Sequence, residues 1–162
     1  MEPAAKAPRT VAGLALRAAL LKDFDGARRL NSGLNGGKPG WNQDEPAVVE
    51  AACEQAARRF FRPDYDVREV TTYVSDMLAR VPESKMRGGH LEIEAVVRAA
   101  LGETDVALDG IRPAALHNIR HIVTTDMTYR LDMSAPEIDQ MLSDAEQIAF
   151  GRGWNPPLAA SD

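Results

Sequence analysis

The chain holds one cysteine, Cys53, and three histidines in 162 residues. A single cysteine excludes an internal disulfide framework and any cysteine-rich zinc site. Aromatics are sparse, at 6 %, and long apolar runs are missing: the first apolar stretch, Val11–Leu16, is six residues long and stops at Arg17. A secretory core needs about 7–15 apolar residues and a membrane helix about 20. The reading therefore places the protein in the cytoplasm, without a membrane partner. Basic surplus is missing too. Lys+Arg 19 against Asp+Glu 24 leaves a net charge of −5, which argues against a chain-wide phosphate-neutralising surface. Strict polar–apolar alternation, the pattern of a half-buried strand, is sustained nowhere.

What the chain does contain is helical periodicity. Thr10 offers an N-cap ahead of Val11, Leu14, Ala18 and Leu21, and Asp23 precedes a second short helix with Phe24, Ala27, Leu30 and Leu34 on one side. Gly33, Gly36, Gly37 and Gly40 surround Pro39 and predict a flexible loop over 31–45. Pro46 opens a helix whose apolar stripe runs through Val49, Ala52, Cys53, Ala56, Ala57 and Phe60. Capping-box patterns at Asp66–Glu69 and Ser134–Glu137 start two more helices, with others expected from Ile93 to Leu101 and from Pro113 to about Leu131. The expected fold is all-α: a compact bundle of six to seven helices over 10–150, between a frayed terminus at 1–9 and a tail at 151–162. Residues 66–76 align without a gap on 134–144, which reads as two related helical hairpins, although two capped amphipathic helices resemble each other in any case.

Candidate chemistry is thin. His117 and His121 stand at i,i+4, a spacing that can place two imidazoles on one metal, but the zinc-peptidase pattern wants Glu where Asn118 stands. A helical wheel puts both histidines, with Thr124 and Thr128, on the solvent side. Asp126 and Arg130 project into the apolar sector of the same helix, where charge must be paired. They are expected either to form an ion pair with each other or to line a polar pocket. Gly36-Gly37-Lys38 lacks the spacing and hydroxyl of a phosphate loop, and Trp41 beyond it reads as a lid residue anchored on the core. Cys53 reads as a core thiol, a poor nucleophile.

A helix-turn-helix reading asks for basic residues on the second helix. The helix from Asp66 carries a net of −1, and the one from Ser134 a net of −4. Nucleic acid is therefore a weak candidate, and the only basic cluster, Arg58, Arg59 and Arg62, sits at a helix end that cations satisfy electrostatically. Asp139, Asp144 and Glu146 instead suggest an acidic outer face on the last helix, with Trp154 as an aromatic anchor beyond it.

Arginine outnumbers lysine 15 to 4, a bias of high-GC bacterial genomes. The runs at 21–30 and 50–61 resemble small helical actinobacterial proteins, a likeness that carries no activity and no site residue. The expectation is a non-enzymatic protein–protein interaction or regulatory module of the bacterial cytoplasm, with no cofactor and no metal, acting through a protein partner or as a homodimer. The alternatives are an acidic inhibitor or immunity-type protein masking a basic enzyme site, a DNA-binding regulator, and an enzyme built around Asp126 and Arg130.

Overall fold

The computed structural model describes residues 6–32 and 44–160. Among them the chain is all-α, with seven helices and no strand: α1 (Val11–Leu20), α2 (Phe24–Ser32), α3 (Pro46–Phe60), α4 (Val67–Arg80), α5 (His90–Ala100), α6 (Pro113–Arg130) and α7 (Ala135–Gly151). The expected loop over 31–45 begins later than its glycines suggest, since Asn31 and Ser32 still belong to α2; residues 33–43, with Trp41, lie outside the described residues.

The helix starts follow from local side-chain chemistry, because the first N–H groups of a helix have no partner within it. Thr10 Oγ1 accepts from the Gly13 amide at 2.8 Å, and Asp23 Oδ1 from the Gly26 amide at 2.9 Å. Asp66 with Glu69 and Ser134 with Glu137 close reciprocal capping boxes on α4 and α7. The helix ends share one device. At α1, α5, α6 and α7 the residue just past the helix turns left-handed, and paired 5→2 and 6→1 backbone bonds close the last turn. Those residues are Lys22, Gly102, Asp132 and Gly153.

The helices group into two compact units, Met1–Ala52 with Thr128–Asp162, and Cys53–Met127. The two aligned segments, 66–76 and 134–144, fall one in each unit.

In the first unit α1 packs on α2 through small side chains, with Ala18, Ala19 and Ala27 buried and Leu30 laid against them. Arg17 of α1 pairs with Asp139 of α7. Glu146 of α7 is only 2 % exposed, and its carboxylate accepts the Arg9 amide at 2.9 and 3.0 Å and the Thr10 amide at 2.6 Å. Beside this anchor the Val11 amide donates to Pro157 and the Ala159 amide to Arg9, giving an isolated antiparallel bridge, Thr10↔Leu158. The frayed terminus thus does not extend to residues 8 and 9: Pro8 is buried, and the Arg9 amide is held. Residues 1–5 lie outside the described ones.

In the second unit Val70, Tyr73, Val74 and Met77 of α4, Ile93, Val96 and Val97 of α5, and Ile119, Val123 and Met127 of α6 are buried. Each such side chain contributes roughly 1.5–3 kcal/mol by leaving water. Cys53 is buried, as its place on the α3 stripe implies. The solvent face assigned to α6 is corrected here. Thr124 and Thr128 are buried, and His117 and His121 are half-buried. Threonine tolerates this because its hydroxyl can bond back to its own helix, as Thr124 Oγ1 does to the Arg120 carbonyl at 2.7 Å and Thr125 Oγ1 to that of His121 at 2.9 Å.

Candidate functional site

Asp126 and Arg130 do not form the expected pair. Asp126 accepts from Arg80 Nη2 at 2.9 Å on both carboxylate oxygens and from the Tyr73 hydroxyl at 2.9 Å. It therefore ties α6 to α4, while Arg130 stands exposed. Neither residue lines either of the two hollows described below.

The acidic outer face of α7 is also corrected. Glu146 points inward to backbone amides, Asp139 is engaged by Arg17, and Asp144 accepts from Gln140 Nε2 at 2.8 Å. Trp154 packs partly buried against Ala12, Ala47, Val48 and Ala149 rather than projecting as an anchor.

The two α6 histidines do share a protected setting. Burial, with the neighbouring His121 and Arg120 charges behind it, lowers His117 to a pKa of about 4, and burial lowers His121 as well. An unfolded imidazole takes up its proton near pH 6.5, the folded one only near 4, so acid favours the unfolded chain. Stability is complete above about pH 6.5 and is lost as pH falls toward 4, by about 3 kcal/mol from His117 alone. Urea midpoints measured from pH 7 to 4.5 should show this fall, and His117→Gln should flatten it. An equally steep profile in that variant would assign the loss to other groups. No cluster of three or more metal-ligating side chains forms among the described residues.

The arrangement that sequence reading missed lies where α3 ends. A hollow of about 310 Å³ is lined by Arg58, Phe61, Arg62, Pro63, Tyr65 and Leu101. Its floor is aromatic. Phe61 meets Phe60 at 5.0 Å and Tyr73 at 5.7 Å between ring centroids, and Tyr65 lies 6.0 Å away. The Tyr65 hydroxyl donates to Glu103 Oε2 at 2.9 Å, and Glu103 is gripped by Arg98 through Nη2 at 2.9 Å and Nε at 3.1 Å. The Arg98 hydrogen bond, aided by that from Tyr65 and opposed by burial, lowers the Glu103 pKa; burial, followed by the bond to Glu103, raises that of Tyr65. At neutral pH the tyrosine is thus a neutral donor fixed against a carboxylate.

The rim is basic. Arg98 is engaged by Glu103, and Arg59 folds back on Gln55 of its own helix. Arg58 and Arg62 are exposed, and among the described residues no carboxylate meets either. Gly102 follows α5 in the left-handed region at φ 96°, and a Cβ there would lie 3.8 Å from Arg58 Nη2. The interleaving of arginine and aromatic residues from Arg58 to Tyr65 was the available signal. Leu101, at the far end of α5, closes the hollow and lies 36 residues beyond Tyr65. No family model matches the chain, and the comparisons with curated proteins and with solved structures return no match.

Proposed function

We propose that this chain is a non-enzymatic binding module of the bacterial cytoplasm, and that the hollow at the end of α3 receives an acidic side chain or terminal carboxylate of a partner protein. One observation carries the reading: Arg58 and Arg62 flank an aromatic-floored hollow without a carboxylate of their own among the described residues. Guanidinium groups present paired donors that match a carboxylate, and such charge-assisted bonds are the strong ones. An apolar floor excludes water and strengthens them further. Arginine and tyrosine are also the residue types that concentrate binding energy at protein interfaces. A volume of about 310 Å³ suits one inserted side chain or chain end. The partner's charge is therefore the reverse of the one that an acidic α7 face would have selected. No helix among the described residues is long and apolar enough to cross a membrane.

Fluorescence anisotropy with labelled eight-residue peptides tests this, each pairing Asp or Glu with Phe or Tyr, against Gln-substituted controls. The acidic peptides are expected to bind, and raising salt from about 0.05 to 0.5 M should weaken them. Arg58→Glu and Arg62→Glu, both at exposed positions, should each weaken binding tenfold or more while leaving the circular dichroism spectrum unchanged. Undiminished binding after both reversals would remove the hollow from the reading. Competition by inorganic phosphate at the peptide's own affinity would assign it to a phosphate ligand instead.

A further inference from the structure

The first unit contains a second hollow, of about 210 Å³, bordered by Leu20, Lys22, Tyr129, Asp132, Met133 and Ile138. Its backbone is unusual. Lys22 (φ 64°) and Asp132 (φ 50°) are the only non-glycine residues with positive φ among the described ones. Each occupies the left-handed position that ends a helix, the place taken by Gly102 after α5 and by Gly153 after α7. Side chains are disfavoured there by Cβ contacts that glycine lacks, least so for aspartate and distinctly for lysine. The same motif is thus built twice with glycine and twice with a charged residue, and both charged versions fall on one hollow. Strained residues that converge in this way point to a use for their side chains.

The chemistry of those side chains is complementary. A cation and an anion share the rim, yet no ion pair joins them, and the Asp132 carboxylate meets no other partner among the described residues. The Lys22 ammonium lies 5.1 Å from the Tyr129 ring centroid, and that ring is fixed by its hydroxyl, which donates to the Ala19 carbonyl at 2.9 Å. Both α1 and α6 end here, so the partial negative charge of two helix C-termini adds to that of Asp132. Leu20, Met133 and Ile138 supply apolar wall.

We infer that this hollow binds a free α-amino acid with an apolar side chain. Its carboxylate meets Lys22, its ammonium meets Asp132, and its side chain lies against Leu20, Met133 and Ile138. The volume equals that of about seven liquid waters, enough for a molecule of leucine's size. Separated charges that stay unpaired in the protein are what a zwitterion requires, whereas a ligand of one charge would leave the other wall unmatched.

A calorimetric titration with the free amino acids tests this, followed by the best binder's decarboxylated amine and its deaminated acid. The expected result is binding by an apolar amino acid, with each singly charged analogue at least tenfold weaker. Lys22→Gly and Asp132→Gly relieve the backbone, so each should raise the ligand-free melting temperature by about 2–4 °C while weakening the amino acid tenfold or more. Arg58→Glu, in the other unit, should leave this affinity unchanged. The inference fails if no amino acid binds at millimolar concentration, if either analogue binds as well as the zwitterion, or if the glycine variants keep wild-type affinity.

Discussion

Glu146→Ala is expected to cost about 3–5 kcal/mol of folding stability. The carboxylate is buried and accepts three hydrogen bonds from the Arg9 and Thr10 amides. Bonds to a charged group are worth about 1.5–3 kcal/mol each, and a buried amide stripped of its acceptor costs a further 1–3. The carboxylate also sits at the N-terminus of α1, where negative charge is favoured. Glu146→Gln keeps an acceptor and the volume, so it should lose only about 1–2 kcal/mol. Gly13→Ala approaches the same anchor from the other side. Alanine ordinarily stabilises a helix interior relative to glycine by about 1 kcal/mol, but here the added Cβ would lie 2.6 Å from Glu146 Oε2 and 2.9 Å from Thr10 Oγ1. The sign should therefore invert. Urea midpoints, with hydrogen exchange at the Arg9 and Thr10 amides, measure all three. A Glu146→Ala protein within 1 kcal/mol of wild type would show that the N-terminal segment docks without its carboxylate.

Tyr73→Ala should cost a similar amount, about 3–5 kcal/mol, because it removes a large ring from a packed core. Tyr73 is 3 % exposed and stands 5.0 Å from Phe60 and 5.7 Å from Phe61 between centroids, both in edge-to-face geometry. Tyr73→Phe separates packing from hydrogen bonding. It keeps the ring and loses the hydroxyl's bonds to Met77 Sδ and to Asp126, which retains Arg80, so a cost of about 1 kcal/mol is expected. Phe61 also floors the arginine hollow, so the alanine variant should bind acidic peptides more weakly even in conditions where it remains folded. Equal losses for the two variants would mean that the aromatic cluster contributes nothing beyond one hydroxyl.

Helix positions were legible because their determinants are local. Thr10, Asp23, Asp66 and Ser134 each cap amides within three residues, so a short window of sequence contains both partners. Side-chain partners across the fold were not. Asp126 has an arginine one turn away at Arg130, and the local rule pairs them; packing supplies Arg80 and Tyr73 from α4 instead. Glutamate is almost never buried, and nothing around Glu146 signals amides 136 and 137 residues earlier in the chain. The α6 wheel failed for a different reason, since threonines that bond to their own carbonyls and desolvated histidines look polar by letter but not by location. The hollow at the end of α3 was half visible. Arg58, Phe61, Arg62 and Tyr65 are sequence neighbours, whereas concavity is a property of how they meet Leu101.

The order of synthesis bears on the Glu146 anchor. Residues 53–127 form their unit from one continuous stretch, so it can mature while the ribosome is still at work. Arg9 and Thr10 must wait for Glu146, Pro157 and Ala159 to emerge before their amides and carbonyls find partners. Until then the alanine-rich side of α1 has no α7 to cover it and remains available to chaperones. Emergence of α7 and of the segment through Ala159, rather than appearance of the first helix, is the event that lets this half of the protein close.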